Sequence, residues 1–113
     1  MKIYGIPNCG SVKKALDFMR SSGFEFEFVD FKKQKPSLGE VEKWANAVGM
    51  ERLFNTKGTK YKSSGLDYKR MSEADKKSAL ASEPTMIKRP VIEHNGKVIV
   101  GFDEELYKKE FAK

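Results

Sequence analysis

Cys9 is the only cysteine in the chain. It stands in Ile6-Pro7-Asn8-Cys9-Gly10-Ser11-Val12, where a short apolar stretch hands over to a helical pattern. A helix start presents unpaired backbone N–H groups and the positive end of the helix dipole. A thiol held there ionises more readily than in free solution, and the thiolate is the nucleophilic form. Lys13, one turn further on, adds positive field. Asn8, Gly10 and Ser11 flank the thiol and count with Lys13 as candidate anion-binding residues. A second chemical feature is Lys88-Arg89-Pro90. Proline cannot donate to a sheet ladder, so Pro90 belongs at a strand entrance. Arg89 offers a permanently charged planar fork suited to a carboxylate or oxyanion.

Other residues read as structural. His94, the only histidine, falls at a hairpin tip and reads as a solvated turn residue. One cysteine and one histidine cannot build the usual metal-ligand cluster. Gly58 and Gly65 do not form a phosphate-binding glycine motif. Trp44, Phe24, Phe26 and Phe28 suit core packing, and Lys60, Tyr61 and Lys62 read as a solvated loop.

The elements that must position Cys9 and Arg89 follow from periodicity. Lys2 to Ile6 reads as a buried strand closed by Pro7-Asn8. From Ser11, apolar residues at Val12, Ala15, Leu16 and Met19 mark one helix face, and Gly23 stops the helix. Phe24 to Phe28 alternates strictly, as a strand does. Strand, helix and strand make a βαβ unit with parallel strands. Ser37 to Glu40 has capping-box spacing ahead of an apolar stripe at Val41, Trp44, Ala45 and Val48 ending at Gly49. Leu53-Phe54 reads as a buried anchor, Asn55 to Gly65 as turn-rich, and Ser72 as the cap of a helix to about Ser82, carrying Ala74, Ala79 and Leu80. Val91–His94 and Lys97–Val100 around Asn95-Gly96 form a hairpin. Asp103 caps a last helix with Leu106, Tyr107 and Phe111 inward. The expected architecture is α/β, a βαβ–ββα arrangement with a mixed four-stranded sheet. A helical insert over about 33–87 separates the halves of a single domain spanning 1–113.

The chain has 113 residues, with 22 Lys+Arg against 16 Asp+Glu and a net charge of +6. That length supports one core without staples. The basic excess favours acidic partners without choosing among them. A lone cysteine forms no intrachain disulfide and points to a reducing compartment. The sequence carries no apolar run of membrane-spanning length and starts on a strand, not a signal-like segment. A soluble, cytoplasmic protein with no membrane or direct nucleic-acid partner is the expectation.

The topology and motifs together resemble the thioredoxin-like arsenate reductase/Spx family. The resemblance rests on the cysteine loop, Asn55-Thr56-Lys57-Gly58-Thr59, Lys88-Arg89-Pro90 and Gly101-Phe102, which fall in the family's order along essentially the whole chain. It is nearest the YffB-like branch, proposed to be glutathione-dependent thiol reductases. The resemblance implies a nucleophilic role for Cys9, a cis peptide at Pro90 beside it, and an anion-holding role for Arg89. Lys57 falls where an arginine is common, keeping charge but losing bidentate geometry. Three family features have no match. Gly5 stands in place of a catalytic histidine, and Gly101-Phe102-Asp103 lacks an expected arginine. Val12 stands where redox-sensing relatives have a second cysteine. The expected function is a monothiol oxidoreductase acting on a disulfide or small oxyanion. It has no tightly bound cofactor and takes glutathione or glutaredoxin as the external thiol. The alternative is an Spx-like regulator that docks on the carboxy-terminal domain of the RNA polymerase α subunit.

Overall fold

The computed structural model describes residues 1–111. Strand β1 (Lys2–Gly5), helix α1 (Gly10–Ser21) and strand β2 (Glu27–Asp30) form the N-terminal βαβ unit. Helices α2 (Leu38–Val48), α3 (Met50–Leu53), α4 (Thr59–Ser64) and α5 (Glu73–Ser82) follow. Strands β3 (Val91–His94) and β4 (Lys97–Val100) and helix α6 (Glu104–Glu110) end the described chain. The sheet order is β2-β1-β3-β4, with β1 parallel to β2 and the pairs β1·β3 and β3·β4 antiparallel. This is the mixed four-stranded α/β arrangement expected.

Side-chain alternation along the strands divides the core. Ile3 and Ile92 face α1 and α6, against Ala15, Met19, Tyr107 and Phe111. Tyr4, Val29, Val91 and Val100 face the helices between β2 and β3, against Val41, Trp44, Leu53 and Leu80. The capping box at α2 forms in full: Ser37 Oγ accepts from the Glu40 N–H, and the Ser37 N–H donates to the Glu40 carboxylate. Ser72 and Asp103 cap α5 and α6. The hairpin turn needs positive φ at both central residues, which Asn95 (50°) and Gly96 (78°) supply.

Four local readings are corrected. The second strand begins at Glu27, because pairing with β1 starts at Lys2↔Glu27. The Phe24 N–H donates to the Met19 carbonyl, holding that end of the phenylalanine run in the turn behind α1. The stretch from Asn55 to Gly65 contains α4, stabilised by Tyr61, whose ring meets Phe54 edge-on and whose hydroxyl accepts from the Tyr68 N–H. His94 is half-buried, ending β3 with its ring against Phe24 and Phe111. In α5 the buried residue is Leu80, while Ala74 is exposed. Among the described residues no helix is long and apolar enough to cross a membrane.

Candidate active site

Cys9 occupies the N-cap of α1 with extended backbone angles, and its carbonyl accepts from the Lys13 N–H. The preceding turn is closed by the Cys9 N–H donating to the Ile6 carbonyl. β1 and α1 approach very closely at this junction. A Cβ added to Gly5 would lie 2.7 Å from a methyl of Val12. Glycine at position 5 therefore lets the first turn of α1 seat against the end of β1. The same packing leaves no room there for the histidine that the family resemblance would have supplied.

The loop before β3 is tied to the insert. The Lys88 N–H donates to the Leu53 carbonyl, the Asn55 N–H donates to the Met86 carbonyl, and Phe54 bridges Ile87. Pro90 is buried, and the Arg89–Pro90 peptide is cis. Arg89 is half-buried, and its Nη1 donates to the Thr85 carbonyl. Its Nε is buried without a hydrogen-bond partner among the described residues.

These two segments meet at the sulfur. Burial pushes the half-buried Cys9 thiol up, but the N–H of Val12, the Arg89 guanidinium and the N–H of Ser11 outweigh it. The net effect holds the thiol below its ordinary value. The neutral side chain closes no capping hydrogen bond to α1. The N–H groups and the guanidinium act as charge–dipole and charge–charge contacts that strengthen when the sulfur ionises. The site therefore holds more of the sulfur as thiolate at a given pH than free cysteine does.

The other candidates lie around this pair. Asn8, Gly10, Ser11 and Lys13 are exposed along the loop and first turn of α1. Ser11 acts on the sulfur through its backbone. Lys57 is exposed in the turn before α4, where Gly58 fits tightly over Asn55: a Cβ there would come 2.8 Å from the Asn55 side-chain nitrogen. No hydrogen bond or ion pair ties Lys57 to Cys9 or Arg89. Sequence reasoning missed the Val12 N–H, because Val12 reads only as an apolar helix residue. It also missed Thr85, which contributes its backbone carbonyl and carries no signal of side-chain type.

A cysteine at the N-cap after β1, beside the arginine of a cis Arg–Pro peptide that precedes β3, with the sheet order β2-β1-β3-β4, defines a thioredoxin-like protein. The chain belongs to the ArsC family, whose model matches residues 4–110. It is 34% identical over 113 residues to an uncharacterised protein of Haemophilus influenzae, covering 97% of each chain. It is 29% identical over 104 residues to an arsenate reductase of Neisseria meningitidis, covering 89% of each. Among solved structures it is similar to YffB, with a TM-score of 0.90, 29% identity and 98% of each chain covered.

Proposed function

We propose that the protein is a monothiol oxidoreductase in which Cys9 is the nucleophile and glutathione or a glutaredoxin supplies the second thiol. The observation that carries this reading is the meeting of Cys9, at the N-cap of α1, with the Arg89 guanidinium. The arsenate reductases among its relatives support the reaction class. In the forward step the Cys9 thiolate attacks one sulfur of a disulfide. A mixed disulfide forms, and the other sulfur leaves as a thiolate. Cys9 is the only cysteine, so an external thiolate must attack the mixed disulfide to release Cys9, itself becoming part of the new disulfide. Arg89 stabilises negative sulfur in both steps. A reducible oxyanion is the other electrophile that suits a thiolate beside a guanidinium.

The test is mass spectrometry after treatment with oxidised glutathione, with an alkylation profile against pH. Wild-type protein gains a glutathione adduct on Cys9, and Cys9→Ser gains none and loses all turnover. Alkylation of Cys9 persists below the pH expected of a free thiol, since a lowered pKa leaves more thiolate at a given pH. In Arg89→Ala the profile moves to higher pH. A thiol that titrates like free cysteine and takes no glutathione overturns the reading. Association with RNA polymerase that survives Cys9→Ser would favour the regulator instead.

A further inference from the structure

The Cys9 site leaves one requirement unmet. Arg89 is set against the sulfur, donates through Nη1 to the Thr85 carbonyl and has its Nε buried. A guanidinium set against the sulfur is not placed to hold a carboxylate remote from the reacting sulfur as well. Beside it lies a cavity of about 280 Å³ whose walls include Ser11, Arg52, Lys88, Gly101 and Asp103. Ser11 belongs to the first turn of α1, and Lys88 directly precedes Arg89, so the cavity adjoins the thiol site.

The backbone brings its two cations together. Lys88 bonds through its N–H to the carbonyl of Leu53, the neighbour of Arg52. Arg52 Nη2 donates to the Val100 carbonyl at 3.2 Å, which draws the exposed guanidinium to the wall, and its other N–H groups make no hydrogen bond among the described residues. Gly101 bonds to the Pro90 carbonyl and has φ of 86°. A Cβ at Gly101 would lie 3.4 Å from Lys88 Cε, which places the lysine stem alongside this segment. Neither Arg52 nor Lys88 has an acidic partner among the described residues. Asp103 is the one carboxylate in the wall, and its Oδ1 is engaged in capping α6. Two cations without acidic partners against one carboxylate give the wall a net positive charge, which favours an anion. Its volume falls just below the roughly 300–1,000 Å³ of pockets for whole drug-sized ligands, which suits one end of a larger molecule.

We propose that this cavity is a second anion subsite receiving a carboxylate of the thiol substrate, with Arg52 and Lys88 as specificity-determining residues. The proposal rests on the thiolate reading of Cys9.

The test is an NMR titration of the full chain with S-methylglutathione and with its diethyl ester, neither of which has a free sulfur to exchange with Cys9. The acid is expected to shift the amides of Ser11, Lys88 and Gly101 and to bind at least tenfold more tightly than the ester. Arg52→Gln and Lys88→Gln should each weaken the acid several-fold and bring the two ligands together, while Arg52→Lys restores part of the preference. The Lys88 head group makes no hydrogen bond to any described residue, so Lys88→Gln keeps the test open if Arg52→Gln unfolds. Equal binding of acid and ester by the wild type, or equal weakening of both in the variants, overturns the subsite. Failure of Cys9 to form a glutathione adduct is a separate result and would count against the thiolate reading alone.

Discussion

At the scale of single residues, polar groups in this protein are placed where they have opposing demands. Cys9 is held toward ionisation by a guanidinium and two backbone N–H groups. Glu93, in the middle of β3, is treated similarly for a structural end. It accepts from Tyr4 Oη and Trp44 Nε1, each at 2.9 Å, and pairs with Lys43 Nζ at 3.1 Å. Burial raises the Glu93 pKa, but the Trp44, Lys43 and Tyr4 donors more than reverse it, so the folded value lies below the ordinary one. Burial, together with the same contact to Glu93, pushes the Tyr4 phenol well above its usual range. A carboxyl lowered in the folded state contributes stability above its unfolded pKa and loses it as pH falls through the folded value. Glu93→Gln keeps an acceptor for Trp44 Nε1, reverses the contact with the Tyr4 hydroxyl and removes the charge opposite Lys43, and is expected to cost about 1–2 kcal/mol at neutral pH. Urea unfolding should also show a shallower loss of stability on acidification below pH 4.5. A variant with the wild-type pH slope would remove Glu93 from this role.

At the scale of elements, the junction of β1 and α1 decides where the thiol sits. Gly5 allows a Val12 methyl to come within 2.7 Å of where a Cβ would be. Gly5→Ala therefore forces Val12, buried in the first full turn, to move. The expected cost is about 1–3 kcal/mol, as for other overpacked core sites. Because Val12 carries an N–H that acts on Cys9, the thiol should also titrate higher in Gly5→Ala. Thermal denaturation and Cys9 alkylation read the two effects separately. A destabilised variant with an unchanged thiol would mean that the packing and the chemistry are independent.

At the scale of the whole molecule, the net charge of +6 acts on anything anionic that approaches. The molecule measures 42 × 26 × 25 Å. The screening length is about 30 Å at 0.01 M salt and about 3 Å at 1 M, so the field spans the protein only at the low end. The reaction of Cys9 with oxidised glutathione, an anion, should slow several-fold across that range, while that with the uncharged hydroxyethyl disulfide should hardly change. Equal salt dependence for both disulfides would assign the charge to solubility alone.

The elements were legible in the sequence because their signals are local. A capping box at Ser37–Glu40, an Asn-Gly turn and a period-3.6 stripe each act within a few residues, and each is found where the sequence puts it. Local signals failed where a distant partner chose the outcome. The phenylalanine alternation from Phe24 did not start a strand until β1 offered a ladder at Glu27. The turn-rich stretch after Asn55 gained a helix once Tyr61 had Phe54 and Tyr68 to bind. The site divides in the same way. Cys9 at a helix start could be read from residues adjacent in the chain. Its guanidinium neighbour arrives from eighty positions away, and the cations of the adjoining cavity come from α3 and the loop before β3. Sequence by itself determined the candidate nucleophile, the fold class and the absence of a second cysteine, because those depend on residue type and short-range pattern. Only tertiary structure decided which charges surround the thiol, because charge acts through space and the sheet order sets that space.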